Sequence, residues 1–314
     1  MPNVELNMTR LNPPTPRTTR RRSSLAVLAV AALALTACGD DTTDPGPGTL
    51  PPATDVPTTD GQGGYDHPVG ADDVVFEYSE VGGFTTREFA FQRVPAILVS
   101  GDGRVFTPGA QIAIFPGPML PAIQVQTITP VGIQRLLAAA EQAGLFADLD
   151  YSEETNVADA TTAQVEINAN GSTWVHAAYA LGFPPFGEDE TTPERQALAD
   201  FLAQLGDLPA LVGDAELGEP EFYQPEQFVV EALVVDDLSA YGDDVEPNVV
   251  DWPADASVRL ADLATTAGTG ECTLVTSDEF GELFASADQL TFFAEGGQTY
   301  QLLVRAALPG DECL

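Results

Sequence analysis

Eleven apolar residues run without a break from Leu25 to Leu35, and that number decides what the rest of the chain must do by folding. A helix that crosses a bilayer needs about 20 such residues, so this run is too short to span. Arg17, Arg20, Arg21 and Arg22 precede it, no acidic residue lies between Arg17 and Cys38, and Thr36-Ala37-Cys38 closes it ahead of Gly39-Asp40-Asp41. A basic n-region, a short apolar h-region and small residues before a cleavage point make a secretory signal over residues 1–37. Arg20-Arg21-Arg22-Ser23-Ser24-Leu25 also has the form of a twin-arginine export signal, a pattern that any strongly basic n-region produces by chance.

Leu35-Thr36-Ala37-Cys38 resembles the lipobox of bacterial lipoproteins. The resemblance implies that Cys38 receives a diacylglycerol with palmitate-type chains and becomes the new N-terminus, anchored at the outer face of the cytoplasmic membrane. A cleaved signal without lipid, leaving Cys38 as an ordinary thiol, is the alternative.

Removal of residues 1–37 leaves 277 residues with seven arginines, no lysine and 47 acids, a formal charge of −40. Nucleic acid is excluded as a partner, because binding it requires Lys and Arg to neutralise phosphates. Electrostatic docking on an anionic lipid surface is disfavoured for the same reason, so the expected membrane contact is the lipid on Cys38 alone. The acids are spread along the whole chain. That fits a solvated surface of a GC-rich genome or a salt-adapted secretome better than one face built for cations.

Hydrophobic content of 44% is ordinary for a globular protein. Beyond Cys38 two cysteines remain, Cys272 and Cys313, and an even remainder in an exported chain predicts a disulfide. It would close 41 residues, worth about 3.5–4 kcal/mol on the chain-entropy estimate.

Residues 38–70 read as an acidic Pro/Thr/Gly tether, almost without large apolar side chains between Gly39 and Gly64. Such a stretch cannot bury enough surface to offset its ordering entropy, and as a coil it reaches roughly 30 Å. The ordered chain divides into 71–207, a Pro-, Gly- and acid-rich linker at 208–226, and 227–314. Strands are predicted at Val74–Ser79, Phe89–Ser100, Ala122–Thr127, Thr162–Ile167, Thr173–Ala180, Phe228–Val235, Glu271–Val275, Gln289–Ala294 and Gln298–Ala306, with turns at Ser100–Gly103, Asn170-Gly171 and Gly296-Gly297. Helices are predicted after Thr129-Pro130, with Ile133, Leu136, Leu137 and Ala140 as the apolar face, and after Thr192-Pro193, with Leu198, Phe201, Leu202 and Leu205. A third covers Thr276–Ala287 behind a Thr-x-x-Glu capping box. The fold class is therefore α+β, mostly antiparallel strands and hairpins with about three amphipathic helices. Ile123–Ala180 and Cys272–Ala306 share the order strand, Thr-capped helix, glycine-turn hairpin, which is either a duplication into two similar subdomains or a common α+β unit.

Chemistry is sparse. His67 lies at the tether's edge, and His176 sits inside a predicted strand, where a packed role is expected before a catalytic one. No His-x-x-x-His or Cys-x-x-Cys spacing, nucleophile elbow, phosphate loop or dinucleotide fingerprint is present. Paired carboxylates suit a glycosidase, yet with 47 acids no pair is singled out. Asp148, Asp150, Ser152, Glu154 and Asp159 have the spacing of an EF-hand calcium loop. Glu153 replaces its glycine, Asp159 its glutamate, and a strand its second helix, so a solvated acidic loop is expected there, with calcium as a weak ligand; no other cofactor is implied. Three aromatic-proline segments, Phe115–Met119, Phe183–Phe186 and Glu221–Pro225, are expected either to fold back over the core or to form a recognition surface.

His67-Pro68, Ala71-Asp72-Asp73, Gly101-Asp102-Gly103-Arg104 and the Thr129–Leu145 helix resemble an uncharacterised group of secreted lipoproteins of high-GC Gram-positive bacteria, best over His67–Leu205. The resemblance implies no catalytic residue. The expectation is a lipid-anchored, non-catalytic binding or scaffold module with a protein or cell-envelope ligand. A carboxylate-dependent cell-envelope hydrolase and a transporter-associated ligand-binding protein are the alternatives.

Overall fold

Two sheets, each carrying helices on one face, account for the chain in the computed structural model, which describes residues 64–152, 157–183, 191–241, 245–269, 272–311 and 313. The signal and Cys38 lie outside the described residues. The first sheet comprises β1 (Val74–Gly82), β2 (Ile97–Ser100), β3 (Arg104–Pro108), β4 (Ile123–Thr127), β5 (Thr161–Ala169), β6 (Ser172–Tyr179) and β7 (Glu221–Phe222). Its order is β6-β5-β1-β2-β3-β4-β7, antiparallel throughout. The second comprises β8 (Gln227–Val235), β9 (Asn248–Asp251), β10 (Thr273–Thr276), β11 (Thr291–Glu295) and β12 (Gln298–Ala306), in the order β10-β8-β12-β11-β9. Only β9 pairs in parallel, with β11. The α+β class with antiparallel hairpins is thus observed.

Local signals act as expected in α2 (Pro130–Gln142), where the Thr129 hydroxyl accepts from the Gly132 N–H at 3.2 Å and Pro130 starts the helix. Ile133, Leu136, Leu137 and Ala140 are buried on one face, and Gly144 follows the helix with φ +82°. Helix α3 (Pro193–Leu205) repeats the device with Thr192 and Pro193. Asn170-Gly171 and Gly296-Gly297 turn the β5–β6 and β11–β12 hairpins. These helices, with α4 (Leu208–Val212), pack on the first sheet through Phe76, Val165, Ile167, Leu198 and Phe201. On the second sheet α5 (Leu260–Thr269) and α6 (Ser277–Ser286) cover Phe228, Phe293, Leu302 and Val304. A third cluster, Leu98, Phe106, Ile123, Ala306 and Leu308, fills the seam between the two sheets.

Several expectations are corrected. Phe89–Ser100 is not one strand. Thr86 accepts from the Phe89 N–H and caps the short helix α1 (Arg87–Phe91), and β2 begins only beyond Pro95, which cannot donate to a central ladder. The 208–226 passage is no linker. Asp207 caps α4, Leu208 and Val212 enter the core, and β7 joins the first sheet, with Phe222 opposite Gln124. Both sheets belong to one compact unit, Pro57–Leu314. Helix α5 and strand β9 are additional elements, and among the described residues the three expected helices are joined by three more, α1, α4 and α5. Thr276 makes no capping hydrogen bond, and the Glu279 carboxylate that would complete the box instead accepts from the Ser257 N–H at 2.6 Å and the Ser257 hydroxyl at 2.7 Å. The two strand-helix-hairpin units share an element order only. In the first sheet one hairpin strand, β6, forms the edge, whereas in the second neither does, because β11 pairs with β9 and β12 with β8. Among the described residues no helix is long and apolar enough to cross a membrane.

Candidate recognition site

The chain leaves β4 and returns as β7 at the far edge of the first sheet, then passes through Tyr223–Glu226 into β8 of the second. This crossover is held from both sides. The Tyr223 N–H donates to the Ile123 carbonyl at 2.9 Å, the Tyr223 hydroxyl to the Ala307 carbonyl at 3.1 Å, and the Ser277 N–H to the Glu226 carbonyl at 2.9 Å. Two adjoining cavities result. One, of about 560 Å³, is lined by Leu120, Ile123, Phe222, Phe228 and the small residues Gly281 and Ala285 of α6. The other, of about 660 Å³, is lined by Asp72, Asp102, Arg104, Glu226 and Asp311. Tyr223 and Gln224 belong to both walls and form the ridge between them.

Phe222 is 64% exposed, an aromatic side chain held at the lip of an apolar groove. Tyr223 is half-buried, with its ring edge-on to Phe106 at 5.0 Å between centroids. Its hydroxyl is held above the usual phenol range by burial first, while Arg104 acts in the opposite direction and Glu226, Asp72 and Asp311 reinforce the rise. The same charges define the second cavity as acidic. Within it, Arg104 pairs with Asp102 at 2.8 Å, and Asp311 receives both arms of Arg305 at 2.6 and 2.7 Å.

Of the three aromatic-proline segments, Glu221–Pro225 is therefore a groove wall. The Phe115–Met119 segment is divided: Met119 is buried in the second core, while Phe115 is 69% exposed beside Ile112 and Ile114. That same β3–β4 connection supplies Leu120 and Pro121 to the groove. Phe183 is exposed, and Pro184–Phe186 lie outside the described residues. The position of Phe222 in sequence, two residues before Gln224-Pro225, signalled the segment but not its neighbours on α6.

Cys272 and Cys313 are joined, with Cα atoms 5.0 Å apart, closing the expected 41-residue loop. Asp148 and Asp150 are exposed. The Asp150 carboxylate accepts from the Ser152 N–H at 2.9 Å, and that hydrogen bond holds its carboxyl below the usual range. Asp159 adopts a left-handed backbone, φ 57°, its carbonyl accepting from the Phe84 N–H at 3.3 Å. Glu154 lies outside the described residues. Among the described residues no group of three or more His, Cys, Asp or Glu side chains is placed to hold a metal ion.

His176 is 2% exposed; its Nε2 meets the Leu145 carbonyl at 2.9 Å and its Nδ1 the Tyr151 hydroxyl at 3.0 Å. Burial pushes that hydroxyl up to about 12, with Glu194 adding to it. Arg195, also 2% exposed, donates to the carbonyls of Tyr151, Tyr179 and Ala180 at 2.8, 2.9 and 3.2 Å. The group ties α3 to the end of β6 and serves packing. Among the carboxylates, Glu77 and Glu166 form one pair, opposite one another on β1 and β5. It lines none of the cavities at the crossover.

No protein-family signature, no curated protein and no solved structure matches the chain. The crossover groove stands on its geometry alone.

Proposed function

We propose that the protein is a binding module, exported and held at the outer face of the cytoplasmic membrane by a lipid on Cys38, that engages a partner through the groove beside Phe222. One observation carries the reading: a large aromatic side chain, 64% exposed, stands over a 560 Å³ apolar groove between the two sheets. Exposed apolar surface of this kind, concave and rigidly backed, is where partners bury area at low entropic cost. The Leu35–Cys38 motif supports the address.

The test is in-cell photo-crosslinking with a benzophenone side chain at position 222. A discrete adduct is expected there and none at Val131 of α2, which is also exposed but lines neither cavity. Adducts equal at both positions, or absent at 222, would remove the reading. Mass spectrometry of the membrane fraction checks the anchor, for which Cys38 must carry the diacylglycerol.

A further inference from the structure

The groove and its acidic neighbour are two halves of one surface. Their shared wall, Tyr223 and Gln224, is two residues long. An extended chain advances about 3.3 Å per residue, so a single segment crossing that ridge places side chains a few residues apart into both cavities. The first cavity is lined mainly by apolar residues, with Tyr223, Gln224 and Ser277 as uncharged polar groups and Glu282 as its only charged lining residue. The second presents four carboxylates and one guanidinium. Two of those carboxylates, Asp102 and Asp311, already face arginines. Asp72 and Glu226 are exposed and stand close enough to Tyr223 to act on its hydroxyl.

From this juxtaposition, and resting on the groove being the binding face, we infer that the partner is an extended peptide segment carrying an apolar anchor next to an arginine or lysine. The apolar side chain enters between Phe222, Ile123 and Ala285, and the cation passes the Tyr223 ridge to Asp72 and Glu226. Charge complementarity selects this occupant. An anionic or neutral segment would leave both carboxylates facing it uncompensated, and like-charge juxtaposition rejects wrong partners. The chain's own formal charge of −36 repels a second copy and steers a basic segment inward.

The test uses the full chain in detergent and three fluorescein-labelled eight-residue peptides, Ala-Leu-Ala-X-Ala-Leu-Ala-X, with X as Arg, Gln or Glu, read by fluorescence anisotropy. The Arg peptide is expected to bind about two- to fivefold more tightly than the Gln peptide, the effect of one solvent-exposed charge pair, and the Glu peptide more weakly still. Asp72→Asn with Glu226→Gln is expected to bring the Arg peptide down to the Gln peptide. Asp148→Asn with Asp200→Asn, the same charge change at exposed positions that line neither cavity, leaves the preference intact. Phe222→Ala weakens all peptides that bind. If the peptides bind equally but still depend on Phe222, the cation preference is overturned while the groove reading stands. If the distant double variant removes the preference as well, general charge is responsible and the inference fails. Absence of binding by all three peptides overturns both.

Discussion

Glu77 on β1 lies directly opposite Glu166 on β5, two carboxylates side by side on one face of the first sheet. Like charges in that position oppose pairing of the strands. Burial first, then Glu166 and Asp311, pushes the Glu77 carboxyl above its ordinary 4.5, against the Ser79 hydrogen bond and Arg305. A carboxyl raised in the folded chain favours folding when protonated. Its contribution is fully present below about pH 4.5 and is lost as pH rises through the folded value. Glu77→Gln is therefore expected to melt higher than the parent at pH 7, with the two converging near pH 4. Thermal melts at the two pH values check this; a variant that melts lower at pH 7 would contradict it.

Arg195 should prove indispensable for the first core although it lines neither crossover cavity. Arg195→Leu takes the guanidinium from the carbonyls of Tyr151, Tyr179 and Ala180, of which Ala180 keeps the Phe183 N–H. The expected loss is about 3 kcal/mol or more, measured by urea unfolding. A loss below about 1 kcal/mol, the range of an ordinary surface change, would show that water replaces the guanidinium.

The Cys272–Cys313 bridge closes 41 residues that include α6 and both strands of the β11–β12 hairpin. Cys313→Ser is expected to cost about 2–4 kcal/mol, a fall of roughly 5–15 °C in Tm for a domain of this size. The parent under reducing conditions should match the variant in calorimetry.

Two threonines at helix starts separate sequence signal from realised contact. Thr129 accepts from the Gly132 N–H, so Thr129→Ala should cost about 1 kcal/mol. Thr276 caps nothing, and Thr276→Ala should cost no more than a few tenths of that scale. Equal losses in urea unfolding would refute the distinction.

Elements written into short stretches of sequence were legible because their causes are local. Thr129-Pro130 and Thr192-Pro193 start helices, and Asn170-Gly171 and Gly296-Gly297 turn hairpins, through contacts made within a few residues. Helix α5 escaped because Thr265, Thr266 and Gly268 give it modest propensity; burial of Leu260 and Leu263 against the second sheet holds it in place. The passage at 208–226 read as a linker from composition. The Asp207 cap and Pro209 were its only local sign, and the decision came from Leu208 and Val212 meeting the first core. The groove was half visible. Glu221–Pro225 stood out as an aromatic-proline segment, while Gly281, Ala285 and Ile123 are ordinary residues in their own neighbourhoods.

By itself, then, the sequence determined the excess of carboxylates, the α+β class, the hairpins and the pairing of Cys272 with Cys313, because each follows from composition, counting or contacts between near neighbours. Tertiary structure alone decided that the chain would cross between sheets at Tyr223, that α6 would bring small side chains to face Phe222, and that Asp72, Glu226 and Asp311 would gather behind the ridge. Those residues come from segments up to about 240 positions apart. Their meeting depends on strand order and on which surfaces two separate cores leave uncovered, and no short window of sequence encodes either.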